Sequence, residues 1–599
     1  WPGQYGQFFE DLLENFTLPL ALLALLTLLF CYDFPKREKD YIAFTILCFF
    51  FMGIFMVFLM NPKMDLQSRF INRVFYSLAH GVYALWIGLA TIFLVYLAQR
   101  TRRHLPVLLF GVVTALWVVL GICFKMPGVA EAGALSGTAF FFLALNLILR
   151  LPQPRLPLFA ALCALPLLPL ATNWRDSEMR GHEFGWRYGH DMLKDLDRNA
   201  VVYGGTDPGR FVPTYMIFVE SFQSNRWKRD PSFDRRDLYI ITQNALADQT
   251  YMNYIRDHYD VSRPKMDRWY HRLLGRDKTY PVEPLRLPNE QEFTEIFNFV
   301  AQQNRDNPSS GFTFEKDPSG KGMRASVQGA QAVFAINGAV AKWIFEQNKA
   351  KHTFYVEESY PIDWMFPYLE PAGLIMKLNK DPLKAIDPQV VRRDKVYWKV
   401  LTAELLSDPC FLRDDVARRS YSKLRSSIGG LYVNRHMDGD AERVLLDSLD
   451  LYPASGEARS RLAQLYMAQE RFDDAKAVCE EWVQLDPQNP APYGAVGDVN
   501  RTRELIAREK ELASLYDYNK KDPNFIFQYA NVLCERGKPA EADKVIDAFL
   551  DQKTFDALWW QTAVNFYLQS GQAGRVETIL HRWCVRDSKN ALVWYNLAK

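Results

Sequence analysis

Three cations stand close together in a stretch that is otherwise largely apolar. Lys63, Arg69 and Arg73 lie in NPKMDLQSRFINRVFY, residues 61–76, with Asp65 among them. Arginine and lysine are the usual partners of phosphate, arginine through its two-pronged guanidinium and lysine as a point charge. At a membrane surface such a group suits the phosphate of a lipid-linked donor. It suits plain headgroup contact equally well. His80 follows Arg73 by two helical turns, which sets both on one side of the entering helix. A second polar group falls on two turns. Asp207 and Arg210 sit in GGTDPGR (Gly204–Arg210), and Asn244 and Asp248 in QNALAD (Gln243–Asp248). Each turn follows a short apolar segment that reads as a strand, Ala200–Tyr203 and Leu238–Thr242. Polar residues at the carboxyl ends of parallel strands are favoured ligand positions, so these four are the candidates for acceptor or sugar contact. Asp-Pro-Gly is also a turn sequence in its own right, and Asp207 and Arg210 can close on each other. Ser221 lacks a G-x-S-x-G setting, and His182 and His190 have no matching acidic set. The eight cysteines form no C-x-x-C pair and no cysteine–histidine ligand spacing, so no metal site is read.

The elements that must position these residues change character along the chain. Residues 1–172 hold six greasy stretches, Thr17–Tyr32, Tyr41–Met60, Ser77–Ala98, Leu105–Phe124, Gly133–Leu149 and Leu156–Thr172. A bilayer core takes about 20 apolar residues per helix, so this region reads as a polytopic α-helical membrane domain. Basic residues in short loops mark the cytoplasmic side. Lys36, Arg37, Lys39, Arg100, Arg102, Arg103, Arg150 and Arg155 follow the odd-numbered stretches, against Lys63, Arg69, Arg73 and Lys125 after the even ones. The region after the sixth stretch is therefore expected outside the cytoplasm. An amphipathic lead-in, Gln7–Phe16, precedes the first stretch, and the opening at Trp1 reads as the back part of a longer protein.

From 173 to 381 the pattern becomes mixed, with further strand candidates at Thr353–Val356 and Gly373–Leu378 and a long polar loop at Asn304–Gly322. Strand, glycine turn, helix, strand suggests an extracytoplasmic α/β domain with a small parallel sheet. Residues 382–417 read as a linker. From 418 to 599 a 34-residue period appears: Tyr432, Ala441 and Pro453 recur as Tyr466, Ala475 and Pro487. The unit LAQLYMAQERFDDAKAVCEEWVQLDP, Leu462–Pro487, resembles the tetratricopeptide repeat, and Ala530, Gly537 and Ala542, then Trp560, Tyr567 and Gly571, mark weaker copies. A degenerate unit is expected at Tyr493–Asp522 and one cut off by the chain end at Trp594–Ala598. Stacked helix pairs form an all-α solenoid that offers a surface to a protein or peptide. A net charge of +2, from 71 basic and 69 acidic residues, gives no basic excess of the kind nucleic-acid binding needs.

The order of basic membrane-surface segment (Gln67–Tyr76), GGTDPGRFVPTYMIF, DRRDLYIITQNALAD and C-terminal repeats resembles the protein O-mannosyltransferase-like membrane family, which is of GT-C glycosyltransferase type. The resemblance implies transfer of a sugar, mannose among the candidates, from a polyprenyl-phosphate donor to a protein hydroxyl at a plasma membrane, the bacterial inner membrane. It implies Lys63, Arg69 and Arg73 at the donor phosphate. It also implies that the catalytic base lies ahead of Trp1, so none is named here. Where relatives have a Gly-Asp-Asn-Asp-type turn, this chain has Gly205-Thr206-Asp207-Pro208, and only Asp207 carries over. The alternative from the same features is a non-enzymatic membrane-anchored scaffold for envelope assembly.

Overall fold

A computed structural model describes residues 2–30, 35–101, 107, 110–115, 129–151, 155–205, 207–259, 283–305, 307–316, 323–357, 361–552 and 556–598. The chain forms two compact units, one of residues 1–187 with 408–414 and 486–490, the other of 188–407, 415–485 and 491–599.

The first unit is helical. Helix α1 (Pro2–Phe30) is followed by α2 (Lys36–Met60, with a π turn at Phe50–Ile54) and α3 (Leu66–Thr101). Six membrane crossings are expected from the sequence, but among the described residues two helices are long and apolar enough, Lys36–Met60 and Leu66–Leu97. A third is reached only if the two limbs of α1, Gly3–Phe16 and Leu18–Leu29, count as one span; they meet at 104°. Pro19 lies just past the bend and has no N–H to give the carbonyl of Asn15 four residues back. The amide of Asn173 takes that carbonyl instead, at 3.2 Å. The last expected span, Leu156–Thr172, is interrupted at Leu165–Pro166 into helices Arg155–Ala164 and Leu167–Thr172, because Pro166 cannot continue the ladder. Gly133–Leu149 lies within one apolar helix, Val129–Leu149, and Leu105–Phe124 lies mostly outside the described residues.

Polar groups pin α1, α2 and α3 together where they pack. Thr27 Oγ1 donates to the carbonyl of Trp86 (2.7 Å), Trp86 Nε1 to Thr45 Oγ1 (3.0 Å) and the Tyr83 hydroxyl to the carbonyl of Ala21 (2.8 Å). Each bond satisfies a polar group that the packing of these helices buries. Gly53, in the π turn, leaves room for the Phe8 ring, which a Cβ there would meet at 2.8 Å.

In the second unit a five-stranded sheet runs in the order β2-β1-β5-β7-β6. The strands are β1 (Val201–Gly204), β2 (Tyr239–Thr242), β5 (Phe354–Glu357), β6 (Leu369–Ala372) and β7 (Ile375–Leu378), while β3 (Phe312–Lys316) and β4 (Met323–Val327) form a separate hairpin. β1, β2 and β5 are parallel, and β7 and β6 continue antiparallel. All four residues of each parallel strand are buried, as expected for a parallel core covered on both faces. Helix α4 (Asp207–Phe218) leaves β1 so tightly that a Cβ on Gly204 would lie 2.2 Å from the carbonyl oxygen of Gly209. Gly204→Ala is expected to cost about 1–3 kcal/mol through this collision. Gly439→Ala, in a helix with nothing within 4 Å, should leave the thermal midpoint unchanged or raise it slightly.

The stretch read as a linker holds a 20-residue helix, α5 (Pro388–Ser407), whose Val390, Asp394, Trp398, Leu401 and Leu405 are buried. The solenoid follows as helix pairs: α6 (Asp415–Asn434) with α7 (Asp438–Leu451), α8 (Gly456–Ala468) with α9 (Phe472–Leu485), then α10 (Pro490–Asn519) and α11 (Pro523–Glu535) with α12 (Pro539–Leu550). Ala557–Gln569, Ala573–Arg586 and Ala591–Ala598 close the array. The degenerate unit at Tyr493–Asp522 is not a helix pair: α10 runs unbroken for 30 residues. Where an inter-helix turn would fall the chain reads RELIAREK, all helix-favouring residues with no glycine or proline.

Candidate functional site

The expected phosphate cradle sits at the start of α3, and α1 supplies it with countercharges. Arg69 pairs with Glu10 at 3.3 Å, and Arg73 pairs with Asp11 at 2.9 Å and with Glu14. Lys63 is exposed and gives its carbonyl to Asn72 Nδ2 at 3.2 Å. Asp65 caps the helix through the backbone N–H (3.0 Å) and hydroxyl of Ser68. His80 and Arg73 do share a side of the helix, and both turn to one carboxylate, with His80 Nδ1 3.7 Å from Asp11 Oδ2. Asn15 joins them, its Nδ2 3.5 Å from His80 Nδ1. Arg69 and Arg73 are thus held in an ion-pair ladder whose one buried acid is Asp11.

Gln7, Tyr76 and His80 are buried beside Asp11, packed around Phe8. Among the described residues the amide of Gln7, the hydroxyl of Tyr76 and Nε2 of His80 have no hydrogen-bond partner. Buried polar atoms are nearly always satisfied, so three such groups near one acid mark the place as unusual. Asp11 and Gln7 went unrecognised in the sequence because they lie on an amphipathic lead-in. Their i, i+4 spacing facing the Arg73–Tyr76–His80 series is the signal that was there to read.

The second group does gather at the carboxyl ends of β1 and β2. Asn244 Nδ2 donates to the carbonyl of Gly205 at 3.1 Å and so ties the two turns together. Asp207 pairs with Arg210 at 3.6 Å, the local pair that the turn allows, and the Arg210 guanidinium lies 4.2 Å over the Phe211 ring. Asp248 Oδ1 accepts the N–H of Tyr251 at 2.8 Å and caps Gln249–Tyr259. Each of the four therefore has a job in turn formation. The sequence reading missed Glu357, the acid that ends β5. It is buried, accepts the Tyr188 hydroxyl at 3.0 Å, and sits where a Cβ on Gly209 would be, at the first turn of α4. A carboxylate there meets the positive end of the helix. Nearby, Asp230 accepts from Ser232 and faces His190 Nε2 at 3.1 Å, and these bonds, Ser232's first, hold its carboxyl down at about 2.

The solenoid repeats one device. Tyr466 donates to Glu442 at 2.8 Å, Arg471 reaches Glu442 at 3.0 Å, and the guanidinium lies 4.1 Å over the tyrosine ring. Tyr567, Asp543 and Arg575 do the same at 2.8, 3.2 and 5.2 Å. In both cases the acid stands 24 residues before the tyrosine. Burial, then the bond to Glu442, pushes the Tyr466 hydroxyl up to about 12. Where α8, α10 and the turn after α11 meet there is a notch of about 220 Å³, lined by Met467, Ala468, Glu470, Thr502, Ile506 and Arg536. Its charges are engaged at the rim, Glu470 by Lys510 (2.6 Å) and Arg536 by Glu509 (3.0 Å). What remains is a Met–Ala–Ile floor of a size that takes one bulky side chain.

A tetratricopeptide repeat family model matches residues 439–498. No curated protein sequence matches the chain. Similar solved structures include YrrB, described as a tetratricopeptide repeat protein with an unusual peptide-binding site, at 15% identity over 33% of this chain and 98% of that one, with a TM-score of 0.15. A tetratricopeptide repeat protein from Parabacteroides merdae is 10% identical over 51% of this chain and 98% of its own, with a TM-score of 0.16. The Cut9–Hcn1 hetero-tetramer of APC/C is 11% identical over 86% and 89%, again at 0.16. At such TM-scores none of them bears on how this chain is arranged. The C-terminal region carries tetratricopeptide repeats on the strength of the family model and of its own helix pairs.

Proposed function

We propose that this chain is a membrane-anchored docking protein whose repeats hold a segment of a partner protein. The observation that carries the reading is the apolar notch at Met467, Ala468 and Ile506, set in an array of a kind that serves peptide and protein binding. The two membrane-length helices supply the anchor. p-Benzoylphenylalanine placed at Met467 in the full chain, expressed in its membrane, should give a discrete cross-linked protein. Ala468→Trp, which fills the notch from an exposed position, should abolish that product while leaving the helical content intact. Cross-links that survive Ala468→Trp would put the partner elsewhere.

A second reading is favoured by the cluster around Asp11. In it the chain contributes to transfer of a sugar from a polyprenyl-phosphate donor to a protein hydroxyl, and the repeats recruit the acceptor. Asp11 would take the hydroxyl proton as general base, with Arg73 and Arg69 turning from Glu14 and Glu10 to the departing phosphate. Lys63 is the cation exposed for first contact with the donor, and Asp207, Arg210, Asn244 and Asp248 stand as acceptor or sugar contacts. Asp11→Asn is then expected to lower transfer from a radiolabelled polyprenyl-phosphate mannose to a peptide by about 100-fold or more. Equal transfer by both forms, or none by the native chain, would remove this reading and leave the docking reading standing.

A further inference from the structure

Helix α5 turns one side inward and leaves the other bare. Val390, Asp394, Trp398, Leu401 and Leu405 recur at helical spacing and are buried. The opposite side carries Arg392, Val396, Lys399 and Ala403 in line, all exposed. Arg393, Lys395 and Val400 flank that line and are exposed too. The four cations make no hydrogen bond or ion pair among the described residues. No acid stands on this side before Glu404. Such an arrangement works against the helix that carries it. Arg392 and Lys395, and then Lys395 and Lys399, are like charges three and four residues apart, which repel each other on a helix surface. Val396 and Val400 are β-branched and 57 and 62% exposed, at positions where lysine, glutamate or alanine would favour the helix more. Neither feature serves the packing of α5, which its inward side provides. A covering surface that brings carboxylates relieves both.

We propose that this face docks an acidic helix of a partner protein. The partner sets small apolar side chains on Val396, Val400 and Ala403 and carboxylates against the cations on either side. In such a contact the apolar strip gives the packing, and the charged flanks steer the encounter and fix the register. The occupant is a protein and not a bilayer, because a face seated among lipid headgroups carries tryptophan, phenylalanine or leucine as its anchors. The apolar part here is two valines and an alanine. Nor is the occupant the longest stretch of this chain outside the described residues. Residues 260–282 hold six basic residues against three acids, so like charge would oppose the contact.

The test uses the full chain in phosphatidylcholine nanodiscs and a labelled helical peptide with an alanine–leucine strip flanked by glutamates, titrated by fluorescence anisotropy. Binding to the native chain is expected, with a loss of about tenfold or more when Lys395→Glu and Lys399→Glu are combined. The same peptide with lysines for glutamates should then bind the reversed chain and not the native one. Lys395→Glu alone removes both like-charge pairs, so it should weaken the peptide while leaving the thermal midpoint unchanged or higher. Ala468→Trp, which fills the solenoid notch, should leave this binding as it is. Equal binding of the glutamate peptide by native and reversed chains, or binding by neither, overturns the proposal. So does a lower midpoint for Lys395→Glu, which would give the lysine to the fold. Loss of the peptide in Ala468→Trp would assign it to the notch and leave the docking reading standing without this face. Adhesion to phosphatidylglycerol vesicles with no preference between the two peptides would give the face to a membrane instead.

Discussion

Asp394→Ala is expected to cost the second unit about 3–5 kcal/mol, because it strands a fully buried arginine. Arg425 is 0% exposed, and its Nη1 lies 3.0 Å from each oxygen of Asp394. Its Nη2 reaches Asp447 at 2.8 Å, the Tyr432 hydroxyl donates to Asp394 at 3.0 Å, and the guanidinium lies 5.1 Å from the Trp398 ring centre. The alanine variant keeps the arginine charge in the interior with only a half-exposed acid to answer it. Replacing both partners is a different case. Asp394→Leu with Arg425→Met removes two charges that each cost desolvation energy, and should recover most of the loss. Denaturant midpoints followed by circular dichroism distinguish the two variants. A single-variant loss below about 1 kcal/mol would mean that the pair is not closed as described.

Trp398→Ala should cost a similar amount, about 3–5 kcal/mol for a large ring removed from a filled interior. Trp398 is fully buried, and its Nε1 donates to the carbonyl of Gly373 in the β6–β7 turn at 3.2 Å. Its ring also faces Arg425 of α6, so one side chain touches both the sheet and the first helix of the solenoid. The variant is therefore expected to speed hydrogen exchange in β6–β7 and in α6 together. Faster exchange in only one of them would show that α5 does not couple them.

The strands were legible to within a residue or two because they are short apolar runs closed by turns: Ala200–Tyr203 is Val201–Gly204, and Thr353–Val356 is Phe354–Glu357. β6 was not legible, since Pro371 argues against a strand; it is tolerated because β6 is the sheet edge. The repeats were clear where tyrosine, alanine and proline keep their 34-residue spacing. They fail at α10, where Asn500, Glu509 and Lys521 stand at the tyrosine, alanine and proline positions and the turn chemistry is gone. Two of the six apolar stretches form helices of membrane length among the described residues, and the sequence did not show the break at Pro166 in the last of the six. The gathering of Asp207, Arg210, Asn244 and Asp248 at the strand ends followed from topology and the Asp207–Arg210 pair from the turn sequence, but the bonds of Asn244 to Gly205 and of Asp248 to the Tyr251 N–H did not. The spacing of Gln7 and Asp11 marks one side of α1, but that this side meets Arg73 and His80 follows only from the packing of α1 on α3.

The most direct test of docking is the affinity of peptides selected by display against the full chain in nanodiscs, measured for the native protein and for Ala468→Trp. Peptides carrying one bulky apolar side chain should bind the native chain and lose affinity roughly tenfold or more when the notch is filled. Equal affinity for both proteins, or selection of no peptide at all, would contradict the assignment of the solenoid as the docking surface.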